Sequence, residues 1–141
     1  MAAREVQDSR SVEARHSRHA SISPTYSISP EKRLVSVKFG KRLSFREIDG
    51  YAAGLRVDPR FDPGFSEVVD LSGVEELKLS AQEALRLADL VDPFLIGARR
   101  AFVARSQVQI RAARMHHLLR DDASNTRIFS SLSDAMKWIR R

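Results

Sequence analysis

The stretch from Ser66 to Ser80, SEVVDLSGVEELKLS, decides the reading of the fold. Glu67-Val68-Val69 is a short β-forming run that reaches Asp70 and Leu71, and Ser72-Gly73 interrupts it before any helix can begin. Ser80 then stands directly ahead of Ala81-Gln82-Glu83-Ala84-Leu85-Arg86-Leu87-Ala88, with Glu83 three residues on. That spacing is a capping box, in which the serine oxygen accepts from an early helical N–H while the glutamate reaches back to the cap. The stretch therefore reads strand, ordered loop, helix. In an open α/β sheet the loop at the carboxyl end of a strand is where function is usually built.

Upstream, Thr25-Tyr26-Ser27-Ile28 alternates polar and apolar, Ser29-Pro30-Glu31-Lys32 supplies turn chemistry, and Leu34 to Phe39 puts Val35, Val37 and Phe39 on one strand face. The short connection predicts an antiparallel hairpin. Ser44-Phe45-Arg46-Glu47 is a second capping box, followed by Ile48, Ala52 and Leu55 at helical spacing, so a helix is expected from about Phe45 to Leu55. The turn formers between Asp58 and Gly64 make a loop. Downstream, Asp92-Pro93 opens a connection, and Ala101-Phe102-Val103-Ala104 reads as a buried parallel strand. Val108, Ala112, Met115 and Leu119 stripe a third helix, while Arg111 and Arg114 project elsewhere on it. Asp121 to Asn125 is a polar turn, Thr126 to Phe129 a last strand, and Ser131 or Ser133 caps a final helix on which Trp138 covers a core edge.

The order ββαβαβαβα predicts an α/β fold: a four- to five-stranded mixed, mostly parallel sheet with about four helices. Residues 1–22, rich in Ser, Arg and His, read as a flexible tail, and residues 23–141 as a single domain. The chain of 141 residues is 43% hydrophobic and 30% charged, within the range of soluble globular proteins. It has no cysteine, which excludes disulfides, thiolate metal sites and cysteine nucleophiles. The polar opening and the lack of a long apolar run lead to an expected cytoplasmic location without a membrane span.

The formal charge of +6 is unevenly placed, with 14 Lys/Arg against 15 Asp/Glu in residues 1–98 and 10 against 3 in residues 99–141. An excess of this kind suits an anionic partner, or simply solvated helix faces. No cluster combines basic residues with stacking aromatics, so nucleic acid is not the expected partner. His16 and His19 lack a third ligand, and the adjacent His116 and His117 diverge by about 100° on a helix, so no metal site is expected. Phosphate loops, serine elbows and paired catalytic carboxylates are absent from the pattern, which makes a non-enzyme the expectation, with no cofactor.

Several patterns resemble the STAS family of sulfate transporters and anti-sigma factor antagonists, over roughly Tyr26 to Arg141. The most specific is Val68-Val69-Asp70-Leu71-Ser72-Gly73-Val74, similar to the family's central strand and following loop. Supporting it are the Gly40 to Glu47 entry to the first helix, Ala113-Arg114-Met115, and Ile128-Phe129 with Ala135-Met136-Lys137-Trp138-Ile139. The resemblance is nearest to stand-alone bacterial members, which are compared with lipid-transfer domains. It implies a non-catalytic regulatory or protein-interaction domain. The family's phosphorylated Asp-Ser-Ser/Thr-Gly pattern here reads Lys78-Leu79-Ser80-Ala81, which implies loss of the phosphorylation switch.

Two candidate sites follow. If the sheet is parallel through Val69 and Phe102, the loops Leu71 to Leu79 and Arg105 to Gln107 share a rim, and Asp70, Ser72, Gly73, Lys78, Ser80, Arg105 and Arg111 form a candidate interaction or anion site. Alternatively, Phe45, Leu85, Met115 and Leu119 line an apolar pocket for a small apolar or acyl ligand, or are plain core. A ligand cavity would have a volume of several hundred Å3, roughly 300 or more. A protein partner is expected, a homodimer is an option, and neither partner nor ligand is specified by the sequence.

Overall fold

The computed structural model describes residues 24–120 and 125–141, with backbone alone for 117–120. The proposed tail, His16 and His19 lie outside these residues, as does most of the Asp121 to Asn125 turn. Tyr26 and Ile28 alternate inward on strand β1 (Thr25–Ser29), directly opposite Val37 and Val35 of β2 (Leu34–Lys38) in an antiparallel pair. The hairpin turn closes with Arg33 N–H donating to Pro30 O at 3.1 Å, and Arg33 takes the left-handed φ of 53° that the tight reversal needs.

Strand β2 then pairs in parallel with β4 (Ser66–Asp70), β4 with β6 (Arg100–Val103), and β6 with β7 (Thr126–Phe129). The five-stranded sheet has the order β1-β2-β4-β6-β7. Only the β1–β2 pair runs antiparallel, so the sheet is mixed and mostly parallel as the β-then-α order predicts.

Strand period 2 divides the side chains between two layers. Val35, Val37, Val69 and Phe102 face helices α1 (Phe45–Val57) and α3 (Gln107–Arg120). Leu34, Val68, Ala101 and Val103 face α4 (Leu132–Ile139), where Ala135 and Trp138 cover them. The Trp138 ring lies beneath the Arg99 guanidinium at 4.4 Å and is approached by Arg127 at 5.6 Å.

Two short strands were not anticipated. β3 (Arg42–Ser44) and β5 (Glu76–Lys78) form a separate parallel pair, with Leu43 opposite Leu77. Strand β5 falls inside the expected loop from Asp70 to Ser80. Three residues carry too little period to be read from sequence, yet the pair has a clear effect. β3 runs into the Ser44 cap of α1, β5 into the Ser80 cap of α2 (Ala81–Arg86), and Ser44 stands opposite Lys78.

The neighbouring N-termini of α1 and α2 are thereby held side by side. At the Ser80 box, Ser80 N–H donates to Glu83 Oε1 at 2.9 Å and Glu83 N–H to Ser80 Oγ at 3.1 Å. At Ser44 the N–H donates to Glu47 Oε1 at 2.8 Å, and α1 runs to Val57, two residues beyond Leu55.

Helix α2 changes pitch after Arg86. Leu87–Val91 forms a π turn, in which Asp92 N–H donates to Leu87 O five residues back. Leu87, Ala88 and Val91 are buried over this turn, Leu87 and Val91 clustering with Ala52, while Leu90 faces outward. Asp92 then leaves the helix, and Arg56 of α1 donates to the carbonyl of Val91, fixing the point of departure.

Candidate functional site

In the parallel register Glu67 and Arg100 are direct neighbours on the sheet face under α1 and α3. That face is mostly apolar, yet both side chains are almost wholly buried, at 2% and 5% exposure. Arg100 Nε donates to Glu67 Oε1 at 2.9 Å. Its Nη1 donates to Asp92 Oδ2 at 2.5 Å, and Nη2 lies between the two carboxylates, 3.0 Å from Asp92 Oδ1 and 2.9 Å from Glu67 Oε1. Tyr51 of α1 donates its hydroxyl to Glu67 Oε2 at 2.6 Å. His116 of α3 places Nε2 3.9 Å from Asp92 Oδ2, and its ring leans on Phe102 at 5.3 Å. One guanidinium thus joins α1, β4, β6 and the end of the π turn.

The electrostatics follow from burial and that shared cation. Burial pushes the Glu67 carboxyl above its usual range, and Arg100 only partly offsets it. Burial also pushes Asp92 up, but Arg100, its hydrogen bonds, His116 and the Phe94 N–H together hold it below the usual range. Burial lowers Arg100, the two carboxylates more than restore it, and it stays charged. The Tyr51 hydroxyl is raised well above its usual value, by burial first and by Glu67 second.

Above this charged floor lies a cavity of about 110 Å3 between the sheet, α1, the α2–π segment and α3. Its wall includes Ile48 and Ala52 of α1, Leu87 and Ala88 of the π turn, and Ala112 and Met115 of α3. Tyr51, Glu67, Asp92, Arg100 and His116 form its polar part. The volume falls short of the several hundred Å3 expected for an acyl-sized ligand and suits a small molecule.

Of the three residues read as an apolar pocket whose side chains are described, Met115 is placed on this wall and Phe45 and Leu85 are not. Leu85 is 48% exposed, because it lies off the buried stripe of Ala84, Leu87, Ala88 and Val91. Phe45 packs beside the Ala52, Leu87 and Val91 cluster under the Arg86 guanidinium at 5.1 Å. The side chain of Leu119 lies outside the described residues. His116 is half-buried, and the side chain of His117 lies outside the described residues.

The loops after β4 and β6 do meet at one rim. Asp70 Oδ1 accepts from Ser72 N–H at 2.9 Å, an Asx turn. Gln109 donates to Ser72 O at 3.1 Å and Val74 O at 2.9 Å, stitching α3 to that loop. Arg105 donates Nε to Ser130 O at 2.8 Å, Lys78 lies 3.4 Å from Glu76, and Ser80 caps α2. Gly73 sits where a Cβ would come within 3.3 Å of Phe39 O. Arg111 is exposed on α3. The rim is thus closely tied within itself, and its cations turn to separate acceptors.

Glu67, Arg100, Asp92 and Tyr51 were missed as functional candidates. Their signal was phase: Glu67 stands two residues before inward Val69, and Arg100 two before inward Phe102. A charge at an inward position of a buried strand requires a partner.

No family model matches the chain, and no curated protein matches it. Among solved structures it is similar to an uncharacterized protein from the DUF3478 family with a SpoIIAA-like fold, from Shewanella loihica PV-4. The two are 17% identical, with a TM-score of 0.56, over 83% of this chain and 92% of the other. At that identity the likeness speaks to architecture, and it agrees with the strand order: the chain has the SpoIIAA-like, STAS-like fold.

Proposed function

We propose that the chain is a non-catalytic regulatory domain that takes a small, mainly apolar molecule into the cavity and answers through a protein partner. The cavity beneath the α2–π segment carries this reading. The same segment and the loop after it hold Leu85, Leu90, Leu95 and Ile96, four of the six large aliphatic side chains that are conspicuously exposed among the described residues. Exposed apolar side chains gathered on one stretch are characteristic of contact surfaces. An occupant below and a partner above would meet through Leu87, Ala88 and Val91. The strand-end rim of Asp70, Ser72, Gly73, Lys78, Ser80, Arg105 and Arg111 is a subsidiary proposal for partner contact, and the cytoplasm is the proposed location.

Native mass spectrometry of freshly purified protein, beside an Ala88→Leu variant that fills the void, tests the reading. A bound species of small mass is expected on the wild type and lost in the variant, with Tm unchanged or higher. A wild type that carries no adduct, and whose Tm answers no member of a small-molecule panel, would overturn it.

A further inference from the structure

We infer that the cavity selects a ligand with a positively charged head of the primary-amine class on a short apolar body. The inference rests on the cavity reading above. Two carboxylates, Glu67 and Asp92, share the single Arg100 guanidinium. Both Arg100 contacts to Glu67 fall on Oε1, while Oε2 accepts from Tyr51. A carboxylate oxygen has room for two donors, so Glu67 Oε2 and the Tyr51 oxygen together offer acceptors to an incoming head group.

His116 is the other ionisable group on the wall, and it stands beside Asp92. Arg100 and His116 both stand against Asp92, so the Glu67 side is the part of the wall that presents carboxylate and phenol oxygens, and an ammonium group complements those acceptors in a poorly solvated place. A carboxylate ligand would add a third negative charge. An alcohol gains a hydrogen bond without the charge.

Size limits the body. A cavity of about 110 Å3 is smaller than the roughly 150 Å3 that admits benzene, which sets the ligand at on the order of five heavy atoms.

The test compares n-butylamine, butan-1-ol and butyrate, three probes of similar size, on the full chain at pH 7.5 by heteronuclear NMR titration. Butylammonium is expected to bind at least about tenfold tighter than butanol, with butyrate weakest, the scale of one charge-assisted contact. Glu67→Gln should remove the amine's lead, read as the ratio of the butylamine and butanol affinities measured on the same variant. An independent arm needs no variant: on the wild type, lowering the pH until Glu67 takes a proton should remove the same lead. Glu67 faces Tyr51 of α1 and Arg100 of β6, with Asp92 and His116 on the same wall, so butanol serves as the control for their titration.

Butyrate binding as tightly as the amine, or an amine lead that survives both arms, would overturn the inference. Butanol binding with no amine preference would sink the charge argument and leave the cavity proposal standing. No response from any probe would remove both.

Discussion

Replacing Arg100 by methionine leaves Glu67 and Asp92 buried without their shared cation. Removing one member of a buried ion pair costs about 3–5 kcal/mol, and urea unfolding at pH 7 should show a loss of that size for Arg100→Met. The two carboxyls respond to pH in opposite senses. Glu67 is held above its ordinary 4.5, so its contribution is fully present below that value and fades as pH rises through the folded pKa. Asp92 is held below its ordinary 3.8, so its contribution is present above that value and is lost as pH falls through the folded one. Glu67→Gln should therefore gain on the wild type as pH climbs above 4.5, whereas Asp92→Asn should flatten the acid limb and cost about 1.5–3 kcal/mol at neutral pH. Urea midpoints across pH 3 to 8 would measure both. These residues were hard to read because a charge at or next to a strand's first position looks like its solvated end; the parallel register, which sets Glu67 beside Arg100, makes them a pair.

At the scale of elements, Ser80 is the simplest lever on the wall of the cavity. Its hydroxyl accepts from Glu83 N–H, and Ser80→Ala should cost about 1 kcal/mol and raise hydrogen exchange chiefly in amides 81–91. A loss of protection spread evenly over the sheet would contradict that assignment. The two capping boxes and the main strands were legible because each is written in local chemistry: a hydroxyl, a carboxylate three residues on, or a β-branched run. Helix α2 was legible only at its start. Its π turn, over which Leu87 and Val91 pack with Ala52, has no local signature in the sequence. Leu85 was misplaced by phase, since Ala84, Leu87, Ala88 and Val91 form the buried i, i+3, i+4, i+7 stripe and Leu85 lies off it. In α3, Gln109 and Ala113 are the buried positions and the predicted Val108, Ala112 and Met115 flank them, an offset of one residue.

Across the whole molecule, the exposed aliphatics and the basic last third make separable predictions. Leu90→Asp with Ile96→Asp touches side chains that are 74% and 73% exposed, so stability should stay within about 0.5 kcal/mol of wild type. Capture of a partner protein should fall if the segment is the contact face; retention undiminished would move the contact to the strand-end rim. Retention on heparin should vanish at modest salt, as expected of dispersed charge. The sheet also separates two kinds of packing. Behind it, α4 seals Leu34, Val68, Ala101 and Val103 beneath Trp138; in front lie the void and the buried ions. A chain so divided can drift in front, exchanging one occupant for another over generations, while the layer behind keeps the scaffold intact. Variation among descendants of such a protein should accordingly gather on one side of the sheet.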